Sequence, residues 1–159
     1  MTTTPDKGEA PLTTRKKLTA WLPLGLWMAL LFGISTEIGA PRRTSRILVP
    51  LLRWLVPDIS PAALDRGHFF VRKAGHALGY AVLAALLWRA RRLSRPEGET
   101  VSWPRDAAIV LGMAVAFADS DEWHQTFSPS RQGSLSDVLL DAAGAGSALL
   151  AIGLRRRWQ

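Results

Sequence analysis

The chain has 159 residues, enough for one domain, with 48% apolar residues, seven Trp and a net charge of +7. It has no Cys, which excludes disulfides, thiolate chemistry and Cys-based zinc sites. The positive charge is mostly Arg flanking apolar blocks and no nucleic-acid recognition motif is visible, so the charge reads as membrane-flanking and no nucleic-acid partner is expected.

Residues 1–17 form a polar, basic N-terminal tail, predicted to be disordered. Arg15, Lys16 and Lys17 precede an apolar run from Leu18 to Ser35, about the minimum length for crossing a bilayer. No small-residue cleavage site precedes Thr36-Glu37, so the run is expected to be a retained anchor rather than a signal peptide. Pro23 falls early in it and is expected near the first helical turn, where a missing N–H is tolerated. Ile47 to Val56, with Arg53, Pro50 and Trp54, is too short to span and predicts an amphipathic interfacial helix or a re-entrant piece.

The second long block runs from Phe69 to Trp88, with Arg72, Lys73, His76 and Tyr80 in its first half, and Arg89, Arg91, Arg92 and Arg95 beyond it. Ser94 to Trp103, with Pro96 and Gly98, reads as a loop. A third block from Asp106 or Ala107 is apolar to Ala118, and reaches spanning length only if it continues through Gln125. The fourth runs from Leu135 to Leu154 and stops at a basic C-terminal tail, residues 155–159. The predicted fold is therefore an all-α, polytopic membrane domain over residues 18–154, with four transmembrane helices and a short interfacial helix near 47–56. More than half of the Lys and Arg fall on the side holding both termini, which predicts that side as cytoplasmic.

Ionisable groups inside spans are costly and need partners or a water-filled cavity. At 100° per residue, Lys73, His76 and Tyr80 share one helix face, and Asp137, Asp141 and Gly144 share another. Asp121, Glu122 and Gln125 fall in one wedge of the third span, with His124 at its edge and Asp119 nearly opposite. All these groups, with Ser35 at the end of the first span, lie toward one side of the bilayer. Arg131 and Ser134 sit in the short loop between the last two spans. Gly75 and Gly79 form a GxxxG, and Ala142 to Ala148 is nearly all small, which favours close helix packing.

The stretch from Asp121-Glu122 through His124-Gln125, Pro129, Arg131 and Gly133-Ser134 to Asp137-Val138 resembles the signature of the VanZ-like family. Lys73, His76 and Tyr80 resemble that family's Lys-x-x-His-x-x-x-Tyr stretch, and Ser35 its serine at the end of the first span. The chain departs from the pattern at Asp141, where Asn is usual, and at Ser130, where Gly is usual before the Arg. The resemblance covers roughly residues 18–154. It implies a small, multi-spanning protein of the bacterial cytoplasmic (inner) membrane and cell envelope. The family's founding member is linked to low-level teicoplanin resistance, which supplies a phenotype and not a reaction.

Three functions compete. In the first, Lys73, His76, Tyr80, Asp121, Glu122, Gln125, Arg131, Ser134, Asp137 and Asp141 bind a lipid head group, a cell-wall precursor or a glycopeptide. In the second, a membrane enzyme acts on a lipid-linked substrate, with Asp121, Glu122, His124 and His76 as candidate acid, base or metal-ligating groups, although the spacing matches no standard metal motif. The third is a proton-coupled carrier, for which a homo-oligomer would have to complete the path. Against all three stands a purely structural network, in which the acids pair with Arg72, Lys73 and Arg131 to fix helix register.

Overall fold

A computed structural model describes residues 14–36, 41–96, 99–100, 102–127 and 133–157. These form five helices: α1 (Thr14–Ser35), α2 (Pro41–Leu55), α3 (Pro61–Leu93), α4 (Trp103–Gln125) and α5 (Leu135–Arg157). Three are long and apolar enough to cross a membrane, α1 over Leu18–Ser35, α3 and α5. Helix α4 has the length, 23 residues, but carries Arg105 and Asp106 at one end and Asp119, Asp121 and Glu122 at the other.

The long helices α1, α3, α4 and α5 pack with alternating direction. At one end Trp21 of α1 donates to Ser94 Oγ just beyond α3, at 2.9 Å. There the buried Asp106 of α4 accepts from Arg91 Nε of α3 at 2.8 Å and pairs with Arg95. On the same end Arg156 of α5 lies 5.6 Å from the rings of both Trp88 and Trp103, a cation–π arrangement. At the other end Ser35 of α1 meets α4, and the start of α5 meets the first half of α3. Between the ends, α3 is the central element, packed on α5, α1 and α4, while among the described residues α2 touches α3 alone. The core is small and aliphatic, built from Leu83, Ala84, Val110, Ala114 and Ala145 around Tyr80 and Trp88. Leu26, Leu78 and Leu150, each about two-thirds exposed, point away from it.

Several boundaries differ from the sequence expectation. Helix α3 begins at Pro61, eight residues before Phe69, because Ser60 caps it by accepting from the Ala63 N–H and Pro61 occupies the first turn. Helix α5 runs on through Arg155 and Arg157. Helix α2 starts at Pro41 rather than at 47 and contains Pro50. Its Ile47, Leu51 and Trp54 form an exposed apolar stripe.

Helix α1 begins at Thr14, so Pro23 lies well inside it and not in the first turn. A proline there cannot donate to the carbonyl four residues back. That carbonyl belongs to Thr19, and Arg89 Nη1 of α3 donates to it at 2.6 Å. The broken intrahelical bond thus becomes an α1–α3 tie. Arg89→Ala is expected to cost about 1.5 kcal/mol, the low end for a hydrogen bond from a charged donor because this one is exposed. The cost should shrink in a Pro23→Ala background, where the restored N–H satisfies Thr19; thermal melting of the four variants in detergent measures the coupling.

The expected GxxxG contact is replaced by another. Gly79 faces Leu31 of α1, and a Cβ on Gly75 would meet nothing within 4 Å. A glycine does bring two helix backbones together elsewhere, where Gly144 of α5 packs against the backbone of Ala77 on α3.

Candidate functional site

The end of the bundle that holds Ser35 also holds eight of the predicted polar residues from three helices. Helix α4 stops at Gln125 and turns its last acids inward, so Asp121, Glu122 and Gln125 are all buried. Ser35 Oγ donates to Asp121 Oδ2 at 2.7 Å, and Gln125 Nε2 donates to Ser35 Oγ at 2.7 Å and to Glu122 Oε1 at 2.9 Å. The backbone N–H of Ser134 donates to Glu122 Oε2 at 2.9 Å, which ties the start of α5 to the end of α4. Gly133 makes this turn possible, since a Cβ there would run into the Glu122 carbonyl.

Across the bundle, α3 and α5 meet through charges spaced about one helical turn apart on each. Asp137 is buried and pairs with Lys73 and, at 3.5 Å, with Arg72 Nη2. One turn deeper, His76 Nδ1 lies 3.3 Å from Asp141 Oδ1, and Asp141 is fully buried. Tyr80, a turn further along the His76 face, is also buried, with its ring 6.2 Å from Phe117. The close approach at Gly144, one turn beyond Asp141, is what brings the two stripes within reach of each other.

One candidate, His124, is not brought into this cluster, nor is Asp119, which was placed nearly opposite the wedge. His124 packs on Phe32 of α1, ring centroids 4.4 Å apart, and Asp119 is exposed. Ser134 contributes its backbone N–H, while its hydroxyl pairs with Ser136. Arg131 lies outside the described residues.

Beside the cluster, a cleft of about 270 Å³ opens between α1, α2 and α3. Its walls include Leu31, Ile34, Leu48 and Val71, and its polar end includes Ser35, His76, Tyr80 and Asp121. Thr44 of α2 and His68 of α3 also line it and lie 3.1 Å apart, Thr44 Oγ1 to His68 Nε2. Neither was singled out from the sequence. His68 was legible as the four-residue extension of the stripe through Arg72, His76 and Tyr80, whereas Thr44 carries no such signal.

Apolar helices, an outward aliphatic surface and a buried polar cluster at one end define a helical membrane protein with an internal polar site. The VanZ/LLP1 family pattern matches residues 20–156, and the chain belongs to that family. It is 34% identical over 96 residues to the uncharacterized membrane protein YwnJ of Bacillus subtilis strain 168, a match that covers 60% of this chain and 57% of that protein. No solved structure matches the chain.

Proposed function

We propose that the protein binds an amphiphile of the bacterial cell envelope, its apolar part in the cleft and its polar group against the cluster. The observation that carries this reading is the cleft itself, whose aliphatic walls end on Ser35, His76, Tyr80 and Asp121, with Arg72 and His68 also among its lining residues. A mostly apolar pocket with a few convergent polar groups is the usual form of a small-molecule site. Arg72 favours an anionic group such as the phosphate of a lipid-linked cell-wall precursor. A glycopeptide such as teicoplanin is the competing ligand. In this reading α4 is a fourth span whose Asp106, Asp121 and Glu122 are tolerated because they face the bundle interior. Helix α2 lies at the interface on its exposed Ile47, Leu51 and Trp54, and both termini are cytoplasmic.

Gly75 offers a clean test, because it lines the cleft and a side chain there meets no other atom within 4 Å of its first carbon. Gly75→Leu should fill the cleft without disturbing the fold. In nanodiscs, the variant is expected to bind a polyprenyl phosphate at least tenfold more weakly than the natural chain, about 1.4 kcal/mol, with an unchanged or higher Tm. Equal binding by both proteins would remove the cleft from the argument. Binding of teicoplanin but not of polyprenyl phosphate would reassign the ligand.

A further inference from the structure

The geometry points to a divalent-cation site formed by His76, Glu122 and Asp141, at the junction of α3, α4 and α5. One candidate ligand atom from each of the three lies within 4.8 Å of the other two. The His76 Nδ1 to Asp141 Oδ1 separation is 3.3 Å. Two ligands held about 2.0–2.1 Å from a tetrahedral ion stand ~3.4 Å apart, so this pair already has the spacing of neighbouring metal ligands. Glu122 and Asp141 are buried, and His76 is mostly so. Each Glu122 oxygen accepts one hydrogen bond, from Gln125 and from Ser134, and keeps a second lone pair for an ion.

Charge balance separates this site from an ordinary ion-pair network. Lys73 and Arg72 both go to Asp137. Glu122 and Asp141 then stand beside His76, the cationic partner given by the described ion pairs. Two carboxylates buried beside one imidazole carry a net negative charge, which a divalent ion would offset.

Two further observations point to a ligand rather than to a closed network. The Tyr80 hydroxyl has no hydrogen-bond partner although the residue is only 2% exposed. It lies within electrostatic reach of Asp121, Asp141 and Glu122. A buried phenol donor needs an oxygen to donate to, and a hydroxide or phosphate oxygen carried by an ion in this space would supply one. Asp141 Oδ1 is fully buried and makes no hydrogen bond, with His76 Nδ1, 3.3 Å away, as its ion-pair partner. One imidazole nitrogen with two carboxylates suits Zn²⁺ or Mn²⁺ better than the all-oxygen cages of Ca²⁺. The site stands on different residues from the apolar walls of the cleft and touches it through His76, so it does not depend on the amphiphile reading.

The test uses the full chain in detergent, stripped with a chelator and then given ZnCl₂, MnCl₂ or MgCl₂ alone. Elemental analysis after desalting should find about one Zn²⁺ or Mn²⁺ per chain, with a raised Tm, since an ion that binds only the folded state stabilises it. Glu122→Gln and Asp141→Asn should each weaken binding at least tenfold, and His68→Ala and His124→Ala should leave it unchanged. Where the acid variants do not fold, pulsed EPR of the natural chain loaded with Mn²⁺ decides: coupling to a single histidine nitrogen supports the site, and no nitrogen coupling overturns it. Absence of stoichiometric binding with an unmoved Tm, or undiminished binding in folded Glu122→Gln and Asp141→Asn, overturns it as well.

Discussion

Gly144→Ala is expected to lose most of the folded protein, while Gly146→Ala two residues away should be nearly silent. A Cβ on Gly144 would run into the carbonyl and Cα of Ala77, whereas one on Gly146 meets nothing within 4 Å. Overpacking costs about 1–3 kcal/mol when flexible side chains can move aside. Here the obstruction is backbone, which cannot rotate away, so α3 and α5 must separate along their whole contact. The upper end of that range, ~3 kcal/mol, corresponds to a Tm lowered by roughly 6–12 °C for a chain of this size. The same separation would pull Asp137 from Lys73 and Asp141 from His76. Yield after size-exclusion chromatography and melting in detergent check the pair; equal behaviour of the two variants would show that the α3–α5 approach is not what holds the bundle.

Lys73→Met is expected to destabilise the protein by about 3 kcal/mol, because removing one partner of a buried ion pair leaves the other charge uncompensated. Asp137 is only 2% exposed, and its remaining cation, Arg72, stands 3.5 Å away. The informative comparison is the double variant Lys73→Met with Asp137→Asn, which removes both charges together and should recover most of the loss. Recovery would mean that Lys73 acts through Asp137 and that this pair is structural, distinct from the His76, Glu122 and Asp141 group. A double variant as unstable as the sum of the singles would instead give Lys73 a separate role, since contacting partners rarely add.

The polar stripes were legible in the sequence because helical periodicity is local. Lys73, His76 and Tyr80 at spacings of three and four must share a face of any regular helix, and so must Asp137 and Asp141. The apolar blocks likewise announced α1, α3 and α5, since the length and composition of a membrane-crossing helix are written in consecutive residues. The ends of the helices were less legible where capping competed with hydropathy. Ser60-Pro61 starts α3 in a stretch too polar to be read as part of a span.

What the sequence by itself determined was an all-helical membrane protein of the VanZ type, with the polar residues of its family signature gathered toward one end. Only the tertiary structure decided which of them meet. It paired Asp137 with Lys73 and Arg72, joined Ser35 to Asp121 and Gln125, and set His124 against Phe32. It also placed the tight α3–α5 crossing at Gly144 and Ala77 instead of at Gly75 and Gly79. The physical reason is that periodicity fixes a residue's direction around its own helix, while the rotation and depth of one helix against another follow from packing between residues far apart in the chain. A single Gly among many small residues sets the depth of α3 against α5, and the pairing of Asp137 with Lys73 and of Asp141 with His76 follows from it.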